Sequence, residues 1–243
     1  MRDYLSASAI NLWLTCPTSY YLKYVLEMKE CETDQTYANY GTLVHNINEN
    51  IANGEYLFLE EAIEEYETNF PSTGIPFDNY YENGIEGIKH VWEFFEDFKI
   101  ELVGAEVKCS AKPLEDVPKL FGFVDLIYRD ENGKLIVRDY KTSKPYTEKQ
   151  MEHQSQPYVY AEMCLAKYGE LPAYFEFYFT RFNEKRTIVI TEEFMEFNRI
   201  RLQGIWKQIT NSILKSNWSP FFCDNFCSVK QHCPLYQAKK GGM

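Results

Sequence analysis

Through the first hundred residues, apolar positions recur three and four apart, the spacing of one buried helix face. Ser6 or Ser8 can cap a short helix over "AINLWLTC", and Pro17 is placed to open a second in "CPTSYYLKYVLEM". "YGTLVHNINENIA" puts Leu43, Ile47 and Ile51 at helical spacing. "LEEAIEEYETNF" and "NGIEGIKHVWEFFEDFK" continue the pattern, with acidic faces that read as solvated surface. From about residue 102 the period becomes two, and "AEVKCSAKPL", "KLFGFVDLIYRD" and "GKLIVRDYKTS" read as successive strands, the last two a hairpin across "DENG". "EKQMEHQSQPYVYAEMCLAKYG" then reads as one helix, "AYFEFYFTRF" and "RTIVIT" as two strands, and "EEFMEFNRIRLQGIWKQITNSILK" as a long amphipathic helix ending near Asn217. Helices enclosing a small central sheet make an α/β architecture.

At 243 residues and 45% hydrophobic, the chain can bury a substantial core. No low-complexity segment, repeat or Pro/Gly/Ser linker divides it, which predicts one domain over residues 1–243: a helical part (1–100), a core (101–191) and a C-terminal element (192–243). No apolar run reaches the roughly 20 residues that span a bilayer, and "MRDYLSASA" lacks the basic start and apolar centre of a signal peptide. The expectation is a soluble, cytoplasmic protein with no membrane partner. In such a reducing compartment, seven cysteines point to metal binding before disulfides. The net charge of −11 argues against a generally basic nucleic-acid binder. An enzyme with a carboxylate cation site and a local basic groove can still be acidic overall, and among 19 Tyr and 17 Phe some can stack on bases while most pack the core.

The sharpest chemistry lies in "GFVDLIYRDENGKLIVRDYKTSK", where Asp125, Asp139 and Lys141 interrupt apolar strands. Charge there is costly unless paired or bound to a cation. Asp139 and Lys141, two apart, share a face with Leu135 and Val137. A two-residue turn at Asn132-Gly133 would put Asp125 opposite Tyr140. A three-residue loop with Gly133 left-handed pairs Asp130 with Lys134 and puts Asp125 opposite Asp139, the register expected here. Adjacent carboxylates repel, which favours a divalent cation between them. Lys141 suits orienting a water and offsetting charge on a phosphate. The plain alternative is an ordinary hairpin with surface charges.

This arrangement resembles the PD-(D/E)XK nuclease superfamily, with Asp125 as first acid and "DYK" at 139 to 141 as the second element. The resemblance implies a restriction-endonuclease-like core, a small mixed sheet flanked by helices. It further implies an Mg²⁺ or Mn²⁺ site at Asp125 and Asp139 with the main-chain carbonyl of Tyr140, and Glu106 at the upstream acidic position. His45 in "YGTLVH" is similar to the helical histidine that RecB-type nucleases add as a ligand. "HQSQPYVYA" resembles their Gln-x-x-x-Tyr motif, matched by Gln154 and Tyr158, with Gln156 and Tyr160 as the alternative register.

The same branch, the RecB/AddB-like and CRISPR-associated iron-sulfur exonucleases, begins with a helical "CP" element and ends with three cysteines that together hold a 4Fe-4S cluster. "SASAINLWLTCPTSYYLKYV" and "FFCDNFCSVKQHCPLY" resemble those ends, which implies Cys16, Cys223, Cys227 and Cys233 as cluster ligands. The C-x3-C-x5-C spacing departs from the more usual two residues in the first pair, and four cysteines also suit structural zinc. Cys31, Cys109 and Cys164 stand apart, and His232 reads as surface. No G-x-x-x-x-G-K-[ST] loop is present, so a motor would come from a helicase or another recombination or CRISPR adaptation protein. The expected function is a metal-dependent DNA exonuclease preferring single strands or frayed ends, with Lys144, Lys149, Arg181 and Lys185 as candidates for backbone contacts. The alternative is a nuclease-inactive DNA-end-binding or adaptor module.

Overall fold

The computed structural model describes residues 3–76, 78–97 and 99–241. Phe77, Phe98 at the end of the fifth expected helix, and the first two and last two residues lie outside that set. The N-terminal half runs β1 (Tyr4–Leu5), α1 (Ala7–Thr15), α2 (Pro17–Tyr20), a π-helical turn (Tyr21–Val25), α3 (Thr36–Ala52), α4 (Leu59–Asn69) and α5 (Asp78–Asp97). Then follow β2 (Glu101–Ala111), β3 (Lys119–Arg129), β4 (Leu135–Lys141), α6 (Glu148–Glu152), α7 (Gln156–Tyr168), β5 (Tyr174–Phe179) and β6 (Glu184–Val189). The chain closes with α8 (Glu192–Thr210), α9 (Pro220–Asn225) and α10 (Pro234–Lys240).

The six strands form one mixed sheet. β3 pairs antiparallel with β2 along one edge; its other edge takes β1, parallel, at Lys119 and Leu120, and β4, antiparallel, from Leu126 to Arg129. β4 and β5 run parallel, joined through α6 and α7, because parallel neighbours need a long crossover. The inner strands are apolar on both faces, as a sheet covered on both sides requires. Leu135 and Val137 of β4 pack with α1, α7 and α8, whereas Ile136 and Tyr140 pack with α3, α4 and α5. The result is the expected α/β fold, a mixed sheet flanked by helices. Among the described residues no helix is long and apolar enough to cross a membrane.

Two expected helices are shorter than their apolar pattern. The 148–169 helix breaks at residues 153–155, where Ser155 is claimed by α1: its hydroxyl donates to the Ala7 carbonyl at 2.9 Å and lies 2.8 Å from Asn11 Oδ1. Pro157 in the first turn of α7 then restarts the helix. The last long helix stops at Thr210, well before Asn217, and Ser212 beyond it turns left-handed at φ 51°.

Candidate active site

The hairpin loop sets the register. Gly133 is left-handed at φ 74°, Asp130 Oδ1 accepts from the amides of Asn132 and Lys134 at 2.9 Å, and the Asp130 amide donates to the Lys134 carbonyl at 3.0 Å. Leu126 therefore faces Arg138, the last pair of the ladder, and Asp125 and Asp139 are the next residues of that register. On the other side, the pairs Ala105–Leu126 and Val107–Val124 bring Glu106 opposite Asp125. Three adjacent strands thus carry a row of carboxylates: Glu106, Asp125 and Asp139.

Glu106 adopts φ 45°, a left-handed conformation that costs a side-chain-bearing residue about 1–3 kcal/mol and is typical of functional sites. The ladder between β3 and β4 ends here because the Tyr140 amide donates to Asp125 Oδ2, at 2.8 Å. From α3, His45 Nδ1 reaches 3.3 Å from Asp125 Oδ2 and 3.8 Å from Glu106 Oε1. His45, Glu106 and Asp125 each offer a ligand atom, all within 4.8 Å of one another, a donor set that fits a hard divalent cation. Asp139 lies outside that set. Its two oxygens, on a side chain only 1% exposed, are held by Lys141 Nζ at 2.5 Å and the Gln156 amide at 2.5 Å.

These contacts shift the titrating groups strongly. Burial raises the Asp125 carboxyl and the neighbouring Asp139 charge adds to that, outweighing His45, Lys141 and the Tyr140 amide. Burial lowers His45, but Asp125, Glu106 and Asp139 overcome it and lift the imidazole to about 9. Burial likewise lowers Lys141, but Asp139, Tyr146 and Asp125 together outweigh it and raise the amine, so it stays an ammonium.

Gln154 and Tyr158 are not brought to this cluster. Gln154 Oε1 accepts from Asn11 Nδ2 at 3.1 Å, and Tyr158 lies beside Glu162, itself bound by Arg199 at 2.6 Å. Gln156 and Tyr160, one turn apart on α7, face the carboxylates instead; Gln156 Nε2 lies 3.4 Å from the Tyr160 hydroxyl. The break before α7 explains the two-residue shift, and Pro157 was the sequence signal for it. Of the basic candidates, Arg181 is buried over the Tyr80 ring at 3.3 Å and Lys185 is paired with Glu176 at 2.8 Å. Lys144 and Lys149 are exposed.

Far along the chain, Cys16 at the end of α1 joins Cys223, Cys227 and Cys233 around one crevice, with Trp218 and Tyr236 in its wall. All four thiols are free, and Cys227 Sγ lies 3.4 Å from the Ser19 hydroxyl. Cys31, expected to stand apart, abuts this element: its amide donates to the Ser228 carbonyl at 2.7 Å. Cys109 and Cys164 are buried in the core below the sheet.

A family model described as the PD-(D/E)XK nuclease superfamily matches residues 4–234. The chain belongs to that superfamily. As a PD-(D/E)XK protein it falls in a group that uses divalent cations and acts on DNA, in keeping with the His45, Glu106 and Asp125 donors. A crystal structure described as a "Putative exonuclease" from Eubacterium rectale is 12% identical, covers 95% of this chain and 88% of its own, and aligns with a TM-score of 0.55, a likeness of fold. The crystal structure of SSO0001 is 14% identical over 97% of this chain and 88% of its own, with a TM-score of 0.47. No curated protein matches.

Proposed function

We propose that this PD-(D/E)XK protein is a metal-dependent DNA exonuclease that prefers single strands or frayed ends. The observation that carries the reading is the carboxylate row with Lys141 at its end: two acids facing across a strand pair, and an ammonium 2.5 Å from the second. His45, Glu106 and Asp125, with Asp139 and the Tyr140 carbonyl beside them, would hold Mg²⁺ or Mn²⁺. When bound, that cation supplies Lewis-acid stabilisation of the charge developing on the scissile phosphate. Lys141 orients the attacking water and balances the same charge. Gln156 fixes the Asp139 carboxylate, and burial keeps competing water from its oxygens.

The four cysteines are assigned to a 4Fe-4S cluster that ties residue 16 to residues 223–233 around a single nuclease unit. What supports this is their convergence: Cys16 and the three C-terminal cysteines line one crevice although they come from opposite ends of the chain, and four thiolates are the ligand number that such a cluster needs. That element supports a place in the RecB/AddB-like iron-sulfur branch. The acidic surface, at net charge −11, favours the second reading, a nuclease-inactive DNA-end adaptor.

The test is digestion of an end-labelled single-stranded oligonucleotide by anaerobically purified protein with Mn²⁺ or Mg²⁺, beside Lys141→Ala. Shortening by the wild type alone supports the nuclease, and label position gives polarity. A wild type that retains its cluster and cuts nothing hands the function to the adaptor reading.

A further inference from the structure

Between the segments of β3 paired with β1 and with β4, residues 121–125 leave a gap on one edge of the strand. A cavity of about 320 Å³ opens at that gap. Tyr4, Phe121, Phe123 and Tyr160 form its aromatic walls, and Ser6 and Gln156 give it polar edges. Gln156 also holds Asp139 at 2.5 Å, so the cavity and the carboxylates share a wall. The rings are set edge to face: Tyr4 to Phe121 at 5.2 Å and Phe121 to Phe123 at 5.9 Å. Phe123 is 49% exposed at the rim, an apolar surface on a strand otherwise largely buried. Lys108 Nζ lies 5.6 Å from the Phe121 ring, a cation within reach of a flanking phosphate.

The size is at the low end of the roughly 300–1,000 Å³ typical of ligand pockets, room for one flat ring system and not for a duplex. Aromatic walls accept the face of any base, and a hydroxyl and an amide can meet its edge. A base within a duplex is stacked and paired, and must leave the helix before it can enter such a pocket.

We propose that this cavity takes one unpaired nucleobase, stacked against Phe121 and Phe123, of the strand whose phosphate is presented to Asp125 and Asp139. The proposal rests on the nuclease reading and gives its single-strand preference a cause: the base beside the scissile bond must be free to turn into the cavity.

The test uses cluster-containing Lys141→Ala protein with Mn²⁺, so that the strand stays whole, and fluorescence anisotropy of short single-stranded oligonucleotides carrying one abasic nucleotide at successive positions. One position is expected to carry a penalty of about 5- to 150-fold in Kd, the range of base–aromatic stacking. Adding Phe123→Ala abolishes that penalty and leaves the others unchanged, whereas Phe123→Tyr restores it. Quenching of 2-aminopurine at the same position in the wild type with EDTA should disappear in Phe123→Ala. An abasic penalty that is absent, or identical in Phe123→Ala, overturns the cavity assignment while cleavage by the wild type still upholds the nuclease. Absence of both strand binding and cleavage overturns the two together.

Discussion

Replacing Gln156 with alanine separates the two possible glutamine registers, and the structure sets the size of the effect. The Gln156 amide donates to Asp139 Oδ1 at 2.5 Å, and Asp139 is 1% exposed, so water has little access to replace the lost donor. A hydrogen bond to a charged group contributes about 1.5–3 kcal/mol. If Asp139 must be held in place for the reaction, kcat/KM falls by about 10- to 150-fold, at 1.36 kcal/mol per tenfold. Gln154→Ala removes only a neutral bond to Asn11 at 3.1 Å, worth about 0.5–1.5 kcal/mol, mostly to the packing of α1 against α7. Its expected signature is a small fall in Tm with kcat/KM nearly unchanged. Gln156→Glu is a sharper probe, because it sets a second carboxylate against Asp139 and should cost more activity than alanine. Initial rates on a single-stranded substrate, with Tm measured in parallel, decide the matter. A larger loss in Gln154→Ala than in Gln156→Ala would refute the reasoning.

Four further outcomes are expected. Arg138 and Glu176, 5% and 3% exposed, form a buried ion pair at 2.8 Å, so Arg138→Met should cost about 3–5 kcal/mol in urea unfolding, with part regained in Arg138→Met/Glu176→Leu. Burial raises Glu176, but Arg138 and Lys185 outweigh it and hold its pKa below the usual 4.5. That stabilisation is complete above pH 4.5 and is lost as pH falls below it, so Glu176→Gln should flatten the acid limb of the stability curve. Gly87 on α5 lies where a Cβ would stand 2.9 Å from the Thr180 carbonyl, and Thr180 Oγ1 donates to the Lys141 carbonyl at 3.4 Å. Gly87→Ala should push that segment away and lower kcat by about 3- to 10-fold, the worth of one neutral hydrogen bond, with a Tm change of a few degrees. Finally, Cys16→Ala should strip iron and visible absorbance from anaerobically purified protein, whereas Cys31→Ala, which removes a thiol outside the crevice, should keep both.

What could be read from the sequence was what local chemistry dictates. The change of period near residue 102 and the Asp130 to Gly133 loop gave the strands and their register, because a left-handed glycine and an aspartate accepting two loop amides leave one economical turn. The register that pairs Leu126 with Arg138, and makes Asp125 and Asp139 the next residues along, followed from that loop alone. Tertiary contacts decided the rest. The helix broken at residues 153–155 is broken by Ala7 and Asn11, some 145 residues away in sequence, and nothing in its own apolar pattern reports them. The Glu106 position depends on a left-handed kink in a strand whose residues read as regular. Cys31 reaches the cysteine element through a backbone hydrogen bond, which spacing arguments do not see.

The site also occupies the place where the sheet stops being regular. β4 leaves β3 after Arg138, and the Tyr140 amide that would have continued the ladder is met by the Asp125 side chain. One carboxylate therefore completes the backbone hydrogen bonding and faces His45 at 3.3 Å. Removing it does two things at once. Asp125→Ala would leave a buried amide without a partner, at about 1–3 kcal/mol, as well as taking a ligand from the proposed cation site. Asp125→Asn keeps an oxygen that accepts from Tyr140 and removes only the charge. If the two roles are separable, Asp125→Asn holds a Tm close to wild type while Mn²⁺ no longer raises it. Equal destabilisation by both substitutions would mean that the charge itself, and not the acceptor, anchors the end of β4.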